Sequence, residues 1–300
     1  MKRDIVIKQV QFDDMHTWTY EKAMQLEQFT HLVAGVTRRW GGVSEAPYTS
    51  FNIAFHVGDK KEAVLKNRIM LADYFKVQPD VLTNANQVHG LTATYIGPEQ
   101  IGQGAISLEN TFESDAIYTD QKGVPLLLFV ADCVPVLLYD AIHQVIAVVH
   151  AGWRGAIGHL PVITLQEMKK RFGTKSKDCY VYLGPSIGPD SFEVGEDLAE
   201  KFALATAHLG ANPNDVVCYR TIKAKGINNR SEQMEMPSMD SMSKPYVNLW
   251  NFIALDLQEA GVLSQNITVT TTDSFVTEDC YSYRREQSVC GRMTMFAMLK

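Results

Sequence analysis

Three side chains that can bind a metal or take part in nucleophilic catalysis stand at the ends of predicted core strands: His89, Cys133 and His150. A single cysteine or histidine is most often a structural residue, so the argument rests on their common position. Two imidazoles and one thiolate form a known catalytic zinc set, whose fourth position is left to water or substrate. An ion held in this way can generate hydroxide near neutral pH or polarise a substrate oxygen.

The same atoms also suit a reaction without metal. Cys133 would then be the nucleophile, His150 or His89 its base, and Asp132 or Asp115 the group that orients the base. Both interpretations need Cys133 as a thiolate beside an imidazole, so the residues alone leave the two open. Conventional laccase chemistry is disfavoured, because the eight histidines include no His-x-His pair and a multicopper centre needs clustered imidazoles.

The elements that position these residues centre on the stretch 124–155. It holds three short apolar runs that predict buried strands, since both faces of such a strand must be covered. Further patterns predict other strands, helices and a surface loop. The central strands are Val124–Val130, Val134–Tyr139 and Val145–Val149; the others are Ile5–Phe12, Val33–Thr37, Val81–Ala85, Tyr180–Leu183 and two short strands within 280–296; helices are predicted over Asp59–Phe75, from about Leu198 to Leu209 and over Tyr246–Ala260; and the loop is Thr221–Lys244.

Pro161 interrupts the apolar stripe that follows the central strands. Proline inside a helix removes a backbone donor and clashes with the preceding turn. We therefore expect either a kink there or a helix that begins near Leu160.

Composition limits the classes of partner and location. The 300 residues carry 28 basic and 34 acidic side chains, a net charge of −6, which disfavours nucleic acid and anionic membranes as partners. No apolar run approaches the roughly 18–20 residues that cross a bilayer. Five widely spaced cysteines, with no CxxC pair and no export signal, predict reduced thiols and a cytoplasmic protein.

Seven motifs, in order along nearly the whole chain, make it resemble the YfiH/laccase-domain family. They are RWGGVS at 39–44, SFN at 50–52, NQVHG at 86–90, ADCVPV at 131–136, HAGWRG at 150–155, LGPSIG at 183–188 and SYRR at 282–285. The resemblance implies one α/β (α+β) domain over residues 1–300, with mixed β-sheets sandwiched between helices in α/β/β/α layers. Two residues depart from the family pattern. Pro161 interrupts the helix that follows HAGWRG, and Asn248 stands where an acidic residue is expected.

The resemblance also implies a zinc site made by His89, Cys133 and His150, with copper as the less favoured metal. Family members are described as purine nucleoside phosphorylases that also deaminate adenosine, as peptidoglycan-editing factors, or as polyphenol oxidases. The expected function is therefore phosphorolysis of purine nucleosides, with small-molecule substrates (a nucleoside and phosphate) and an undetermined oligomeric state. The alternative is a hydrolase with a Cys133 nucleophile that cleaves an amide in a cell-wall precursor, and a poorer one is a non-catalytic metal-binding module.

Phosphorolysis requires a pocket for the phosphate anion. Arg39 is the first candidate and is counted with the catalytic residues, because a guanidinium binds phosphate through two hydrogen bonds. Arg154 and Arg284 are further candidates. Asn52 and Gln87, which belong to two of the motifs, complete the expected substrate-binding residues.

Overall fold

The computed structural model describes residues 6–7, 17–222 and 242–300, and its core is built from two stacked sheets. The strands are β1 (Val6–Ile7), β2 (Tyr20–Lys22), β3 (Leu32–Thr37), β4 (Ala93–Tyr95), β5 (Ala116–Thr119), β6 (Leu126–Val130), β7 (Val134–Asp140), β8 (Val145–Ala151), β9 (Cys179–Leu183), β10 (Val217–Ile222), β11 (Met242–Val247), β12 (Ile267–Val269) and β13 (Met293–Leu299). The helices are α1 (Lys61–Phe75), α2 (Trp153–Ile157), α3 (Leu160–Phe172), α4 (Glu196–His208) and α5 (Leu249–Glu259).

The larger sheet is mixed and has seven strands in the order β1-β12-β9-β7-β8-β5-β4. Its centre is antiparallel, from β9 through β7 and β8 to β5, and its two edges carry parallel pairs. The second sheet, β2-β3-β13-β6, is antiparallel throughout. The strands β10 and β11 form a separate antiparallel pair.

The central apolar runs are continuous because each strand lies between two cores. In β6, Leu126 and Leu128 face the larger sheet, whereas Leu127 and Phe129 face the cluster that includes residues of α1. In β7 and β8 the alternation runs between the inter-sheet core and a cluster shared with α2 to α5. This period of two, buried on both faces, produces the layer order helix, sheet, sheet, helices that the family resemblance implied.

Several local predictions are confirmed. β3, β6, β7, β8 and β9 lie where strands were expected, and α3 begins at Leu160 with Pro161 in its first turn, where the missing donor costs nothing. Asn248 caps α5, because its side-chain oxygen accepts a hydrogen bond from the backbone N–H of Asn251 at 3.0 Å. That role explains a polar, uncharged residue at this position.

Other local predictions are wrong. Residues 81–85 form no strand: a short 3-10 turn ends at Val81, and only Thr83 makes a single bridge, to Leu126. Within 280–296 there is one strand, β13, preceded by turns.

Helix boundaries and the predicted loop also need correction. α1 begins at Lys61 without a side-chain cap, and α5 begins at Leu249 because the preceding residues belong to β11. The ends of the predicted loop Thr221–Lys244 belong to the paired strands β10 and β11. Its residues 223–241 lie outside the described residues, as does most of the predicted strand Ile5–Phe12. No helix among the described residues is both long and apolar enough to span a membrane.

Candidate functional site

His89, Cys133 and His150, hereafter the triad, meet at one point of the fold. Their ligand atoms all lie within 4.8 Å of one another. The Cys133 Sγ is 3.9 Å from His89 Nε2, and the two imidazole rings are 4.7 Å apart in an edge-to-face arrangement. His150 is buried, Cys133 is partly buried and His89 is exposed, so the cluster opens to solvent on one side.

Asp115, at the start of β5, holds both histidines in place. Its carboxylate accepts backbone N–H bonds from Val88 (3.1 Å), His89 (2.9 Å) and Gly90 (2.6 Å). It also lies 2.8 Å from His150 Nδ1, and an ionised carboxylate can only accept, so a proton resides on Nδ1, and Nε2 is the ring nitrogen that can bind a metal when it is deprotonated. Burial would raise the pKa of Asp115, but the His150 and backbone hydrogen bonds outweigh it and lower that pKa.

Cys133 lies in the short crossing from β6 in one sheet to β7 in the other. The preceding Asp132 has a positive φ of 87°, and its carboxylate accepts bonds from Ser274 Oγ (2.6 Å) and the Arg284 backbone N–H (2.7 Å). These bonds fix the turn that presents the thiol. Gly152, at the start of α2, leaves room for it, because a Cβ there would come within 2.9 Å of Cys133 Sγ.

The electrostatics of the triad favour a thiolate beside a charged imidazole. Burial opposes ionisation of the Cys133 thiol, but His150 and His89 outweigh it and lower its pKa to about 6. Burial likewise disfavours the charged form of His150, but Cys133 and Asp115 raise its pKa to about 9. The triad therefore presents the deprotonated sulfur that both metal binding and nucleophilic attack require.

A cavity of about 420 Å³ opens above the triad. This volume lies in the range of small-molecule sites. Apolar and aromatic side chains form most of its wall outside the triad; the rest consists of basic side chains together with Gln87, Asp132 and Gly152. The apolar group comprises Phe129, Val130, Ala131, Trp153, Ile187, Phe192, Leu249 and Tyr283; the basic group outside the triad comprises His56, Arg284 and Arg292.

Two of the five expected substrate-binding residues line this cavity. Arg284 does so with its guanidinium 5.7 Å from the Phe192 ring. Gln87 also lines it, but its amide is used to hold Phe129, donating to the backbone oxygen and accepting from the backbone N–H, both at 2.8 Å.

The structure does not bring Arg39, Asn52 or Arg154 into the cavity wall. Arg39 pairs with Glu286 at 2.6 Å and donates to the Thr49 backbone oxygen. Arg154 is exposed, with its guanidinium 4.2 Å from the neighbouring Trp153 ring. Asn52 is buried, and its side-chain oxygen accepts a hydrogen bond from the backbone N–H of Arg292 at 3.1 Å. It therefore helps to hold Arg292, which lines the cavity.

Sequence reasoning missed His56 and Arg292. Arg292 bonds through Nη1 to the backbone oxygens of Cys290 (2.8 Å) and Gly291 (3.0 Å), and within the described part of the chain no carboxylate pairs with it. His56 belongs to none of the seven motifs. Burial first, and then the charges of Arg292, His150 and Arg68, lower the pKa of His56 to about 4. No spacing in the sequence signals either residue, because His56 lies in the short 3-10 helix Phe55–Val57 and Arg292 lies directly before β13.

Comparisons with known proteins agree with this geometry. Residues 33–300 match the family model described as multi-copper polyphenol oxidoreductase laccase. A purine nucleoside phosphorylase of Bacteroides thetaiotaomicron is 38% identical over 184 residues, 61% of this chain and 67% of the relative. The purine nucleoside phosphorylase YlmD of Bacillus subtilis is 30% identical over 276 residues, 90% of this chain and 89% of the relative.

Solved structures show the same fold. The hypothetical protein YfiH of Bacillus licheniformis superposes with a TM-score of 0.82 at 25% identity, covering 96% of this chain and 99% of its own. YlmD of Geobacillus stearothermophilus gives 0.80 at 26% identity, covering 97% and 98%. The fold, the sequence motifs and the family match over residues 33–300 together show that the chain belongs to the YfiH/laccase-domain family.

Proposed function

We propose that this protein is a zinc-dependent purine nucleoside phosphorylase, which converts adenosine, inosine or guanosine-type nucleosides and phosphate into free base and ribose 1-phosphate. The observation that carries the proposal is the triad at the floor of an open cavity of about 420 Å³. Relatives that share most of the chain's length bear the name purine nucleoside phosphorylase. Adenosine deamination, in which water replaces the amino group at C6, is the second activity that we assign to the site.

The donor set of the triad fits zinc. Tetrahedral zinc with nitrogen at about 2.1 Å and sulfur at about 2.3 Å places a nitrogen and a sulfur ligand about 3.6 Å apart. The separation of Cys133 Sγ and His89 Nε2 is 3.9 Å, so a small side-chain adjustment brings these two atoms to ligand spacing. Three ligands leave a position that faces the cavity, and an ion there would supply a Lewis acid to a substrate oxygen or to water.

The chain's own residues would bind and orient the two substrates. The aromatic and aliphatic wall, which includes Phe192 and Leu249, suits the flat purine, and Arg284 and Arg292 suit phosphate. In phosphorolysis a phosphate oxygen bonds to C1′ of the ribose while the C1′–N9 bond breaks. The purine leaves with the bonding electron pair and takes up a proton, so a site that excludes water and aligns phosphate with C1′ favours transfer over hydrolysis.

Incubation of metal-replete protein with adenosine and inorganic phosphate tests the proposal directly. Phosphorolysis gives adenine and ribose 1-phosphate, deamination gives inosine and ammonia, and chromatography separates all of these products. Omission of phosphate is the control, since adenine formation must then stop. Adenine formation at the same rate without phosphate, or no conversion of any purine nucleoside, would contradict the proposal.

A second candidate is a hydrolase that uses Cys133 as nucleophile and cleaves an amide in a peptidoglycan precursor. The observation that favours it is the lowered pKa of Cys133 beside His150, which Asp115 orients. In that case activity would persist in chelator, whereas a metal-dependent phosphorylase would lose it. Treatment with chelator, followed by restoration with zinc or with copper, therefore separates the two candidates and identifies the active metal.

A further inference from the structure

Arg68, on α1, is a buried arginine with no carboxylate partner among the described residues. Only 1% of its surface is exposed. It donates to neutral oxygens: Nε to Ile53 O (2.8 Å), and Nη1 to Gly104 O (2.6 Å), Ala105 O (2.8 Å) and Asn84 Oδ1 (3.1 Å). Its Nη2 has no hydrogen-bond partner. A positive charge is thus buried without an opposite charge beside it, an arrangement that is costly for folding.

The other buried arginine, Arg38, differs from Arg68 because it has an acidic partner. Arg38 is similarly buried, but its Nη2 lies 2.7 Å from the carboxylate of Glu21. That pair is electrically balanced, so little of its field extends beyond the pair. The field of Arg68 is not cancelled in this way by any acidic side chain in the described ranges.

Arg68 lies directly behind one wall of the cavity. Its guanidinium is 4.3 Å from the Phe55 ring and 5.4 Å from the Phe129 ring. Phe129 and His56, whose rings are 5.9 Å apart, both line the cavity. The Arg68 guanidinium therefore lies against Phe129, a residue of the cavity wall.

The charge of Arg68 affects a residue that lines the cavity. Arg68 is among the groups that lower the pKa of His56, after burial, Arg292 and His150. His56 therefore stands in a region of positive potential that two arginines help to create, one lining the cavity and one behind it. In a partly dry site such a potential extends further than in water and attracts an anion.

We propose that Arg68 is a positioning residue for phosphate: its buried charge makes the His56–Phe129 wall positive and holds the phosphate at that end of the cavity, beside Arg292. The inference rests on the proposed function, because phosphate is its second substrate. It assigns Arg68 no contact with the reacting atoms. The cost of burying the charge is thereby offset by binding of an anionic substrate.

Two variants remove the field in different ways. Asn84→Asp places a carboxylate at the atom that already accepts from Arg68 Nη1, so it neutralises the charge while the arginine stays in place. Arg68→Gln removes the charge and keeps amide donors. Arg68→Lys keeps the charge, and Asn67→Ala is the control, since Asn67 is a buried, uncharged neighbour on the same helix that bonds to Ser50 O and Asn52 O.

The measurements are the KM for phosphate at saturating adenosine and the KM for adenosine at saturating phosphate. We expect Asn84→Asp and Arg68→Gln to raise the KM for phosphate by about tenfold, with a smaller change for adenosine. Arg68→Lys should restore most of the phosphate affinity. Asn67→Ala should lower the melting temperature but leave the KM for phosphate within about twofold of the wild-type value.

The outcomes distinguish this inference from the proposed function. An unchanged KM for phosphate in Asn84→Asp and Arg68→Gln, in an active phosphorylase, overturns the role of Arg68 and leaves the proposed function intact. If the wild-type protein shows no phosphate-dependent cleavage, the proposed function is wrong, and calorimetric titration with inorganic phosphate decides the inference. Weaker binding by Asn84→Asp than by wild type supports it, and equal binding or no binding by wild type overturns it.

Discussion

Gly152 offers the sharpest test of the geometry of the triad. It precedes the first residue of α2 with φ −67° and ψ 177°, values that alanine also adopts, so the backbone itself tolerates a side chain. A Cβ at this position would lie 2.9 Å from Cys133 Sγ and 3.3 Å from His89 Cδ2. The Gly152→Ala change therefore acts on the triad rather than on the conformation of the chain.

The size of the expected effect follows from these distances. Ordinary van der Waals contact begins near 3.4 Å, so the sulfur must move by about 0.5 Å to accept the methyl group. Metal–ligand distances tolerate changes of only about 0.2 Å. We expect Gly152→Ala to weaken metal binding by about 10–100-fold, the range seen when the support of a ligand is disturbed.

Gly195→Ala is the matched control. Gly195 also precedes a helix, α4, with φ −77° and ψ 159°, but nothing lies within 4 Å of the Cβ that alanine would add. Competition with a chromophoric chelator gives the metal affinity of both variants, and thermal unfolding of the metal-free proteins gives their stability. Wild-type metal affinity in Gly152→Ala would refute the argument, because the sulfur would then have room that the structure denies it.

The remaining predictions concern the triad and its support. Purified protein should carry close to one zinc per chain, and His89→Ala, Cys133→Ala and His150→Ala should each lose it; full occupancy by elemental analysis in any of the three would contradict the ligand set. Asp115→Asn should weaken zinc binding by about 10–100-fold, since an amide has one oxygen for the four donors that Asp115 accepts. An affinity equal to wild type in the same chelator competition would remove Asp115 from this role. Alkylation of Cys133, followed by peptide mass, should be slow in metal-loaded protein and fast after chelation, with buried Cys179 as internal control. Fast labelling in both states, with activity lost in step, would favour the hydrolase.

The central strands could be predicted because their signal is local. Each residue of β7 and β8 is buried, and apart from Asp140 and His150 the positions are apolar, so the run is visible without knowledge of its partners. The positions of Cys133 and His150 followed, since each stands where such a run is interrupted or ends. The positions of these two residues could therefore be predicted from a single sequence.

The position of His89 was expected for the wrong reason. Residues 81–85 resemble a short strand in composition, but only Thr83 bridges to Leu126, since its neighbours continue into turns. What places His89 is the carboxylate of Asp115, which lies 26 residues further along the chain. A hydrogen bond of this kind leaves no periodic pattern in either segment.

The arginines show the same limit in another form. Arg39 was selected because a guanidinium can bind phosphate, yet Glu286, 247 residues away, occupies that guanidinium. The roles that we propose for Arg292 and Arg68 rest on the lack of a carboxylate partner for either among the described residues. A sequence displays charges but not their pairing, so the basic part of the cavity could be identified only in three dimensions.

The family description, multi-copper polyphenol oxidoreductase laccase, does not fit the metal-binding side chains that the described residues bring together. Among the described residues, the triad is the one cluster of three or more histidine, cysteine or acidic side chains with ligand spacing. Three other histidines are engaged elsewhere: His31 with Tyr139, His143 with Asp140 and His159 with Asp256. A multinuclear copper centre needs several imidazoles at one place, whereas this fold gathers two and adds a thiolate. That donor set suits a single ion with an open position, which is why we assign the site to polar substrate chemistry rather than to electron transfer.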